Sequence, residues 1–384
     1  MSMFADVVIV GAGVMGCSTA LSLAQRKGPR VIVVEKGALG SGQTKRSGAL
    51  IHTNYVLETE ARLALASLRT FQNWHQLVGG DCGFTQTGLV LTAGTEEDAA
   101  RLRGHAERMS SLGGKTRIIT RDELHELQPA ARVDDLALAA YDPEAGYADP
   151  VAATHTLGAR AKDLGVVFKT GTFVKSILVD HGRITGIDTN VGPIEALTVV
   201  VTAGPWSDRL LKPLGVEIGI RSLRTQVAFF DRPPELKAGH AAFVDWVTGV
   251  HFRPHTFGLT MAGLTAPQIE ELTDPDQFDE AVSRELVDDV QQKIATRLPE
   301  MAKARFTRGH AGIYDMSPDG HAVLGRAPGI PGLVISAGFS GTGFSLAPAV
   351  GECLSELIAD GETRTADLSP FRLERFAEIK HAVK

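Results

Sequence analysis

The chain has 384 residues, 43% hydrophobic and 22% charged, a folded globular composition without a disorder signature. Its net charge of −6 argues against a nucleic-acid partner held through phosphates, and no apolar run reaches the roughly 18 residues that cross a bilayer. The opening "MSMFADVVIV" has no basic segment ahead of an apolar one, so no secretory signal is expected.

Asp6–Val10 is a short apolar run, the pattern of a strand buried on both faces. "GAGVMG" (11–16) follows, and Val14–Lys27 carries apolar residues at helical spacing, stopped by Gly28. "RVIVVE" (30–35) is a second buried strand. Strand, glycines, helix and strand in that order predict a dinucleotide-binding unit. Gly11 turns the chain out of the strand, Gly13 lets a pyrophosphate approach the backbone, and Gly16 lets the helix pack on the strand. The helix N-terminus points free N–H groups at the phosphates, and Glu35 is placed to accept bonds from ribose hydroxyls.

Residues 56–78 and 95–112 predict helices, and "GFTQTGLVLTA" (83–93) predicts paired strands. Thr120 and Glu123 have capping-box spacing, and Asp149 before Pro150 predicts the start of a helix over 150–164. Runs 172–180 and 183–189 flank "DHGR" as a hairpin, and "ALTVVVTAGPW" (196–206) is another buried strand ending in glycine. "TQVAFF", "GVHFRP" and "FGLTMAG" suggest a second sheet, followed by a long amphipathic helix over 275–298. "GLVISAGFSGTGF" (332–344) is a last strand with a second glycine loop, opening a helix that Gly361 ends. Nucleotide-type signals at the beginning, middle and end predict a two-domain α/β protein. Its Rossmann-like cofactor domain is expected over 1–82, 145–218 and 308–384, with a mixed-sheet substrate domain inserted over 83–144 and 219–307.

NAD and FAD both fit the first unit. The Gly-, Ser- and Thr-rich stretch "GALGSGQTKRSGALIHTNY" (37–55), with Lys45 and Arg46, replaces the βα unit that a nicotinamide enzyme would continue into. A second glycine loop opening a helix offers backbone N–H groups to the negative charge that develops on a reduced flavin ring. Two such loops, one for pyrophosphate and one for the ring, point to FAD.

The combination of "VVIVGAGVMGCSTALSLAQR", "GQTKRSGALIHTNY", "AGPWS", "VHFRP" and "SPDG…GFSGTGF" resembles the D-amino-acid-oxidase-like (DAO) family of FAD oxidoreductases. Within it the chain is most similar in texture to the group of sarcosine oxidase flavin subunits, glycine oxidases and proline dehydrogenases. The resemblance covers nearly the whole chain and implies a glutathione-reductase- or p-hydroxybenzoate-hydroxylase-like architecture. It implies that Gly11, Gly13, Met15 and Gly16 wrap the pyrophosphate, and Glu35 with Lys36 the adenosine ribose. Thr44, Arg46, Ser47 and Gly48 would line the flavin and phosphate channel, and Val174 would meet adenine through its backbone. Ala203, Gly204 and Trp206 would pass beside the ribityl chain; Gly338, Phe339, Ser340, Gly341, Thr342, Gly343 and Phe344 would hold the pyrimidine end.

The departures from the family pattern carry expectations of their own. Gly312 stands near the position of the cysteine that links FAD in monomeric sarcosine oxidases, and "TKRSG" holds no histidine for the alternative link, so FAD is expected to be non-covalent. His52 takes the place of a carboxylate-binding arginine, Ser345 that of a lysine, and Thr260 that of the lysine promoting reaction with oxygen. Arg253, Arg221, Arg224 and Arg326 remain as carboxylate partners, and the loss of that lysine points toward a dehydrogenase or a sluggish oxidase.

The expected reaction is oxidation of a C–N bond in a small amine or amino acid, with His52, Tyr55 and His251 orienting the amine or taking its proton. His240, His255, His310 and His321 are expected to be structural or solvent-facing. A 2-hydroxy-acid dehydrogenase on the same fold and a flavin-holding subunit of a hetero-oligomeric oxidase are the rival readings; an RNA-modifying flavoprotein is disfavoured by the acidic charge. Partner subunits or self-association are left open. Cys17, Cys82 and Cys353 lie far apart without metal spacing, which suits reduced thiols in a cytoplasmic protein and no metal.

Overall fold

The computed structural model describes residues 3–265 and 271–377. Strands Leu333–Ala337, Ile194–Val201, Met3–Val10, Val31–Val34 and Val167–Lys169 lie side by side in that order, all parallel. They are Val- and Ile-rich because this sheet is buried on both faces. Ile194–Val201 changes partner along its length. Its first residues pair with the hairpin Val174–Asp180/Arg183–Thr189, and its last with Leu333–Ala337. Helices Val14–Gln25, Pro150–Asp163 and Gly343–Ala359 pack over one face. The first can lie against the strand only because of two glycines. Gly11 has φ +109°, and a Cβ there would meet the Thr202 carbonyl oxygen at 2.6 Å. A Cβ on Gly16 would sit 1.9 Å from the Gly11 oxygen.

The second sheet runs Arg305–Met316, Arg221–Asp231, Leu259–Leu264, Val250–His255, Ala242–Asp245, Leu89–Ala93, Leu138–Asp142 and Arg117–Ile119. Its pairs are antiparallel except Ala242–Asp245 with Leu89–Ala93. One face, with Ala228, Phe230, Phe243, Phe252 and Ala262, packs on Val287, Val290 and Ile294 of the helix Arg284–Arg297. Side-chain alternation turns Val227, His251, Arg253 and Met261 to the other face, toward the first sheet. A small third sheet joins Leu50–Ile51, Gly146–Tyr147 and Thr85–Gln86.

Three expectations are corrected. The strands within 83–93 do not pair with each other: Gly88 (φ +68°) breaks the run, sending Thr85–Gln86 to the third sheet and Leu89–Ala93 to the second. The helix expected from 275 begins only at Arg284, capped by Ser283, whose Oγ accepts the Leu286 N–H at 3.2 Å. Residues 271–283 instead cross to the cofactor side, where basic side chains take up their acids. Finally, Arg305–Met316 pairs along its whole length with Arg221–Asp231, so the second sheet continues past residue 308 and hands back to the first only after Met316.

Candidate active site

The loops at the C-terminal ends of the parallel strands converge on one cavity of about 390 Å³, roofed by the inner face of the second sheet. Two helices open into it. At the first, the Val14 N–H donates to Thr44 Oγ1 (3.1 Å) and the Ala12 N–H to Glu35 Oε2 (2.8 Å). The next two N–H groups, of Met15 and Gly16, have no acceptor among the described residues. At the second, Thr342 turns its hydroxyl back to the Phe339 carbonyl (2.7 Å), leaving the N–H groups of Gly343 and Phe344 without an acceptor among the described residues. Two uncapped helix ends facing one cavity form a double anion cradle. These residues fit a dinucleotide cofactor with an electron-accepting ring: one cradle for its diphosphate, one for the ring edge where charge collects.

The cavity is lined by Gly13, Met15 and Glu35 from the first unit, and by Thr44, Arg46, Ser47 and Gly48 from the following loop. Ala203, Gly204 and Trp206 come from the strand Ile194–Val201, and Gly312 from the second sheet. The last loop contributes Phe339, Gly341, Thr342, Gly343 and Phe344. Gly11, Gly16, Lys36, Val174, Gly338 and Ser340 lie outside the lining. Gly338 and Ser340 shape the second loop: the Gly338 N–H donates to Asp315 Oδ2 (2.9 Å), and Ser340 Oγ accepts from the Ser317 N–H (3.1 Å). Val174 is buried in the hairpin at the edge of the first sheet. Lys36 turns to the 271–283 segment, its Nζ lying 3.0 Å from Asp276 and 3.7 Å above the Trp206 ring.

That segment straps the two sheets together across the cofactor side. Asp276 accepts from Lys36, from Trp206 Nε1 (2.8 Å) and from Arg209 (2.5 Å), while Glu280 pairs with Arg46. Four basic or N–H partners explain why 275–283 is not helical: its carboxylates bond across the strap rather than along it.

The opposite end of the cavity belongs to the second sheet. His52 and Tyr55 stack with ring centroids 5.0 Å apart, and the Tyr55 hydroxyl meets Ser345 Oγ at 2.5 Å. Burial, reinforced by the neighbouring His105 and His251, pushes His52 down to about 4. Burial also holds His251 at about 4, and raises the Tyr55 phenol well above its ordinary value. Both histidines are therefore neutral at pH 7, and the same burial opposes their protonation while leaving a ring nitrogen to accept a hydrogen bond. Arg253 is 3% exposed. Its Nε donates to the Gly48 carbonyl (2.7 Å), its Nη1 to the Pro254 carbonyl (3.0 Å), and the guanidinium stacks 4.3 Å over Tyr147. No acidic side chain pairs with it among the described residues, and burial brings it down to about 10. Of the other arginines named from sequence, Arg224 is consumed by Glu271 and by the carbonyls of Asp279 and Ala281, and Arg221 and Arg326 lie outside the lining.

Thr260 is corrected. It faces away from the cavity, 2.7 Å from His240 Nε2, because it follows the alternation of Phe230 and Ala262. The neighbour that faces the cavity is Met261, whose methyl would lie 3.2 Å from a Cβ on Gly48. Sequence reasoning also passed over Asp315, a cavity-lining carboxyl that burial raises to about 6. The strand alternation of "GIYDM" after Gly312 was the signal for it.

Residues 6–357 match the family model described as FAD dependent oxidoreductase, DAO. The glycine oxidase of Geobacillus kaustophilus is 28% identical over 96% of this chain and 97% of its own. The human (Homo sapiens) peroxisomal sarcosine oxidase is 28% identical over 98% and 97%. The crystal structure of L-proline dehydrogenase from P. horikoshii superposes with a TM-score of 0.91 at 26% identity, covering 98% of this chain and 99% of that one. The mixed α/β fold of two packed sheets, the paired helix openings and the full-length match agree: the chain belongs to the DAO family of FAD-dependent oxidoreductases.

Proposed function

We propose that this flavoenzyme oxidises a C–N bond in a small amino acid or N-alkyl amino acid of the sarcosine, glycine or proline type. The observation that carries the reading is Arg253, a buried cation without a carboxylate partner on the wall shared with His52, Tyr55 and His251. A substrate carboxylate supplies the missing anion. FAD, when bound, would supply the two-electron acceptor for the α-hydrogen that leaves the substrate as hydride. The chain does the rest: Arg253 anchors the carboxylate, the amine enters with its proton already lost to water, and neutral His52 or His251 holds it by a hydrogen bond so that its lone pair is carried into the reaction. Tyr55, held by Ser345, orients the amine. The resulting imine is hydrolysed by water.

The cofactor is held without a covalent link, since Gly312 offers no thiol and residues 44–48 no imidazole. Gly11, Gly16, Glu35 and Val174 shape or meet its adenosine half. Lys36 acts by bracing Trp206 and Asp276 rather than by touching ribose. The cofactor domain is assigned 1–82, 145–218 and 308–384, with the strand Arg305–Met316 shared with the substrate domain. The absence of a cation at Met261 supports an electron acceptor other than oxygen, because the neighbouring cation, Arg253, is engaged by the substrate carboxylate.

The test is anaerobic bleaching of the flavin band by a panel of N-methyl amino acids, imino acids and 2-hydroxy acids. Bleaching by amino or imino acids is expected. Bleaching by hydroxy acids alone would make the enzyme a C–O dehydrogenase, and bleaching by nothing would favour a flavin-holding subunit. Met261→Lys is expected to raise the rate of reoxidation in air by roughly ten- to a hundredfold; an unchanged rate would remove this position from oxygen control.

A further inference from the structure

Beyond Arg253 the second sheet carries a group of cations that the reaction above does not use. His255, two residues further along the strand, sits between two guanidinium groups. Arg253 Nη1 approaches its Nδ1 at 3.4 Å, and Arg308 Nη2 approaches its Nε2 at 3.3 Å. A neutral imidazole accepts at one nitrogen only, so one of these contacts sets donor against donor. Arg232 lies beside them, with its backbone N–H on the Gly258 carbonyl (3.0 Å). Its Nε and Nη1 are buried and have no hydrogen-bond acceptor among the described residues.

Arg232, Arg253 and Arg308 form no salt bridge among the described residues. The acid whose field reaches His255 and Arg253 is Asp149, whose Oδ1 caps the helix Pro150–Asp163 through the N–H groups of Val151 and Ala152. Around His255 the field is therefore cationic: Arg232, Arg253 and Arg308 all act to keep its ring neutral. Buried N–H groups without acceptors, next to a donor conflict that an intervening oxygen would resolve, mark a place built for an anion. It adjoins the cavity through Arg253, which lines it and touches His255.

We infer that Arg232, His255 and Arg308 form a second anion subsite, and that the preferred substrate is an amino or N-alkyl amino acid bearing a second carboxylate. This deepens the amine-oxidation reading and rests on it. One carboxylate takes Arg253 beside the reacting carbon, and the other extends past His255 to Arg232 and Arg308. The two subsites are one imidazole apart, which suits a short diacid. Arg308 is exposed and Arg232 half-buried, so the outer carboxylate would be met by one cation on the surface and one drawn inward.

The experiment uses the FAD-loaded enzyme and inert acids, read by perturbation of the flavin absorbance band. Succinate and glutarate are titrated against propionate and butyrate, on wild type, Arg232→Ala and the rim variant Arg308→Ala. The dicarboxylates are expected to bind about tenfold or more tighter than the monocarboxylates, and each substitution to cut that preference by roughly tenfold. Equal binding of both classes to within about twofold, or a preference that survives both substitutions, would overturn the subsite. Amine bleaching then separates the two claims. A chain that keeps an Arg232-dependent glutarate preference but is bleached by no amine upholds the subsite and removes amine oxidation. One bleached by monoacid amines without a diacid preference does the reverse.

Discussion

The two walls of the cavity are built on different principles. The cofactor wall is made of backbone: glycine turns, two uncapped helix ends and carbonyl-lined loops at the ends of parallel strands. The substrate wall is made of side chains standing on one face of an antiparallel sheet, where His251, Arg253 and Met261 alternate with core residues. A backbone surface recognises what every flavin shares and tolerates little change. A side-chain surface can be rewritten one residue at a time, as Met261 illustrates. The cations expected at His52, Ser345 and Thr260 are absent, and the residue beside Thr260 that faces the cavity is Met261.

The contrast is tested most severely on the backbone wall. At Gly13 a Cβ would stand 3.1 Å from Thr44 Oγ1 and protrude where the first helix opens. Gly13→Val is expected to lower FAD affinity by at least about a hundredfold, since it blocks the approach to several backbone donors at once. The measurement is the ratio of flavin to protein absorbance after purification; a fully yellow variant would mean that the diphosphate lies elsewhere.

On the side-chain wall the same severity should fall on the substrate alone. Arg253→Ala is expected to weaken binding of carboxylated substrates by roughly thirty- to a thousandfold, the cost of stripping the partner from a buried carboxylate. Simple amines without a carboxylate should lose much less. Equal losses for both, read from anaerobic titrations, would make Arg253 a prop for Gly48 rather than a ligand.

This division also explains what was legible in the sequence. Gly11, Gly13, Gly16 and Glu35 declare themselves because backbone recognition fixes residue type and spacing locally. So does the loop 338–344, which lies far along the chain but repeats the same local logic. The substrate wall depends on registers between strands distant in sequence. Whether Thr260 or Met261 faces the cavity is a one-residue question of strand alternation, and a motif match across a turn does not settle it. The 271–283 strap was illegible for a related reason. Its acids look like the polar face of a helix until Lys36, Arg46 and Arg209 are seen to stand opposite them. Lys36, expected at the ribose, meets the same hidden partner, Asp276.

A weaker, distributed effect should appear in the pH dependence of stability. His52, His105, His240, His251 and His255 are all held near 4, first of all by burial. Groups whose folded pKa is depressed below the unfolded value bind fewer protons when folded, so stability falls as pH drops from about 6.5 toward 4. Asp315, raised to about 6, and Asp142, also raised by burial, oppose this, whereas His321, raised by Glu60, gains its stabilisation above its ordinary value and contributes a constant amount below it. Five histidines outweigh these carboxyls. The apoprotein melting temperature is expected to fall on the order of 10 °C between pH 7 and pH 5. A flat profile would mean that the buried rings reach water more readily than their packing suggests.

The smallest effect belongs to the strap that joins the walls. Asp276 gathers Lys36, Trp206 and Arg209, and these partners hold its carboxyl down to about 2 despite partial burial. Its side chain is nonetheless 44% exposed, and those of Lys36 and Arg209 are 43% and 47% exposed, so water and salt screen much of the attraction. Asp276→Asn keeps the Trp206 bond and removes only the charge. FAD affinity is therefore expected to fall by less than about fivefold, and by less still in high salt. The depressed carboxyl sets the sign with pH: its contribution is present above about 4 and fades as pH falls toward 2. A loss as large as that of Gly13→Val would mean that the strap, and not the glycine-floored helix openings, is what retains the cofactor.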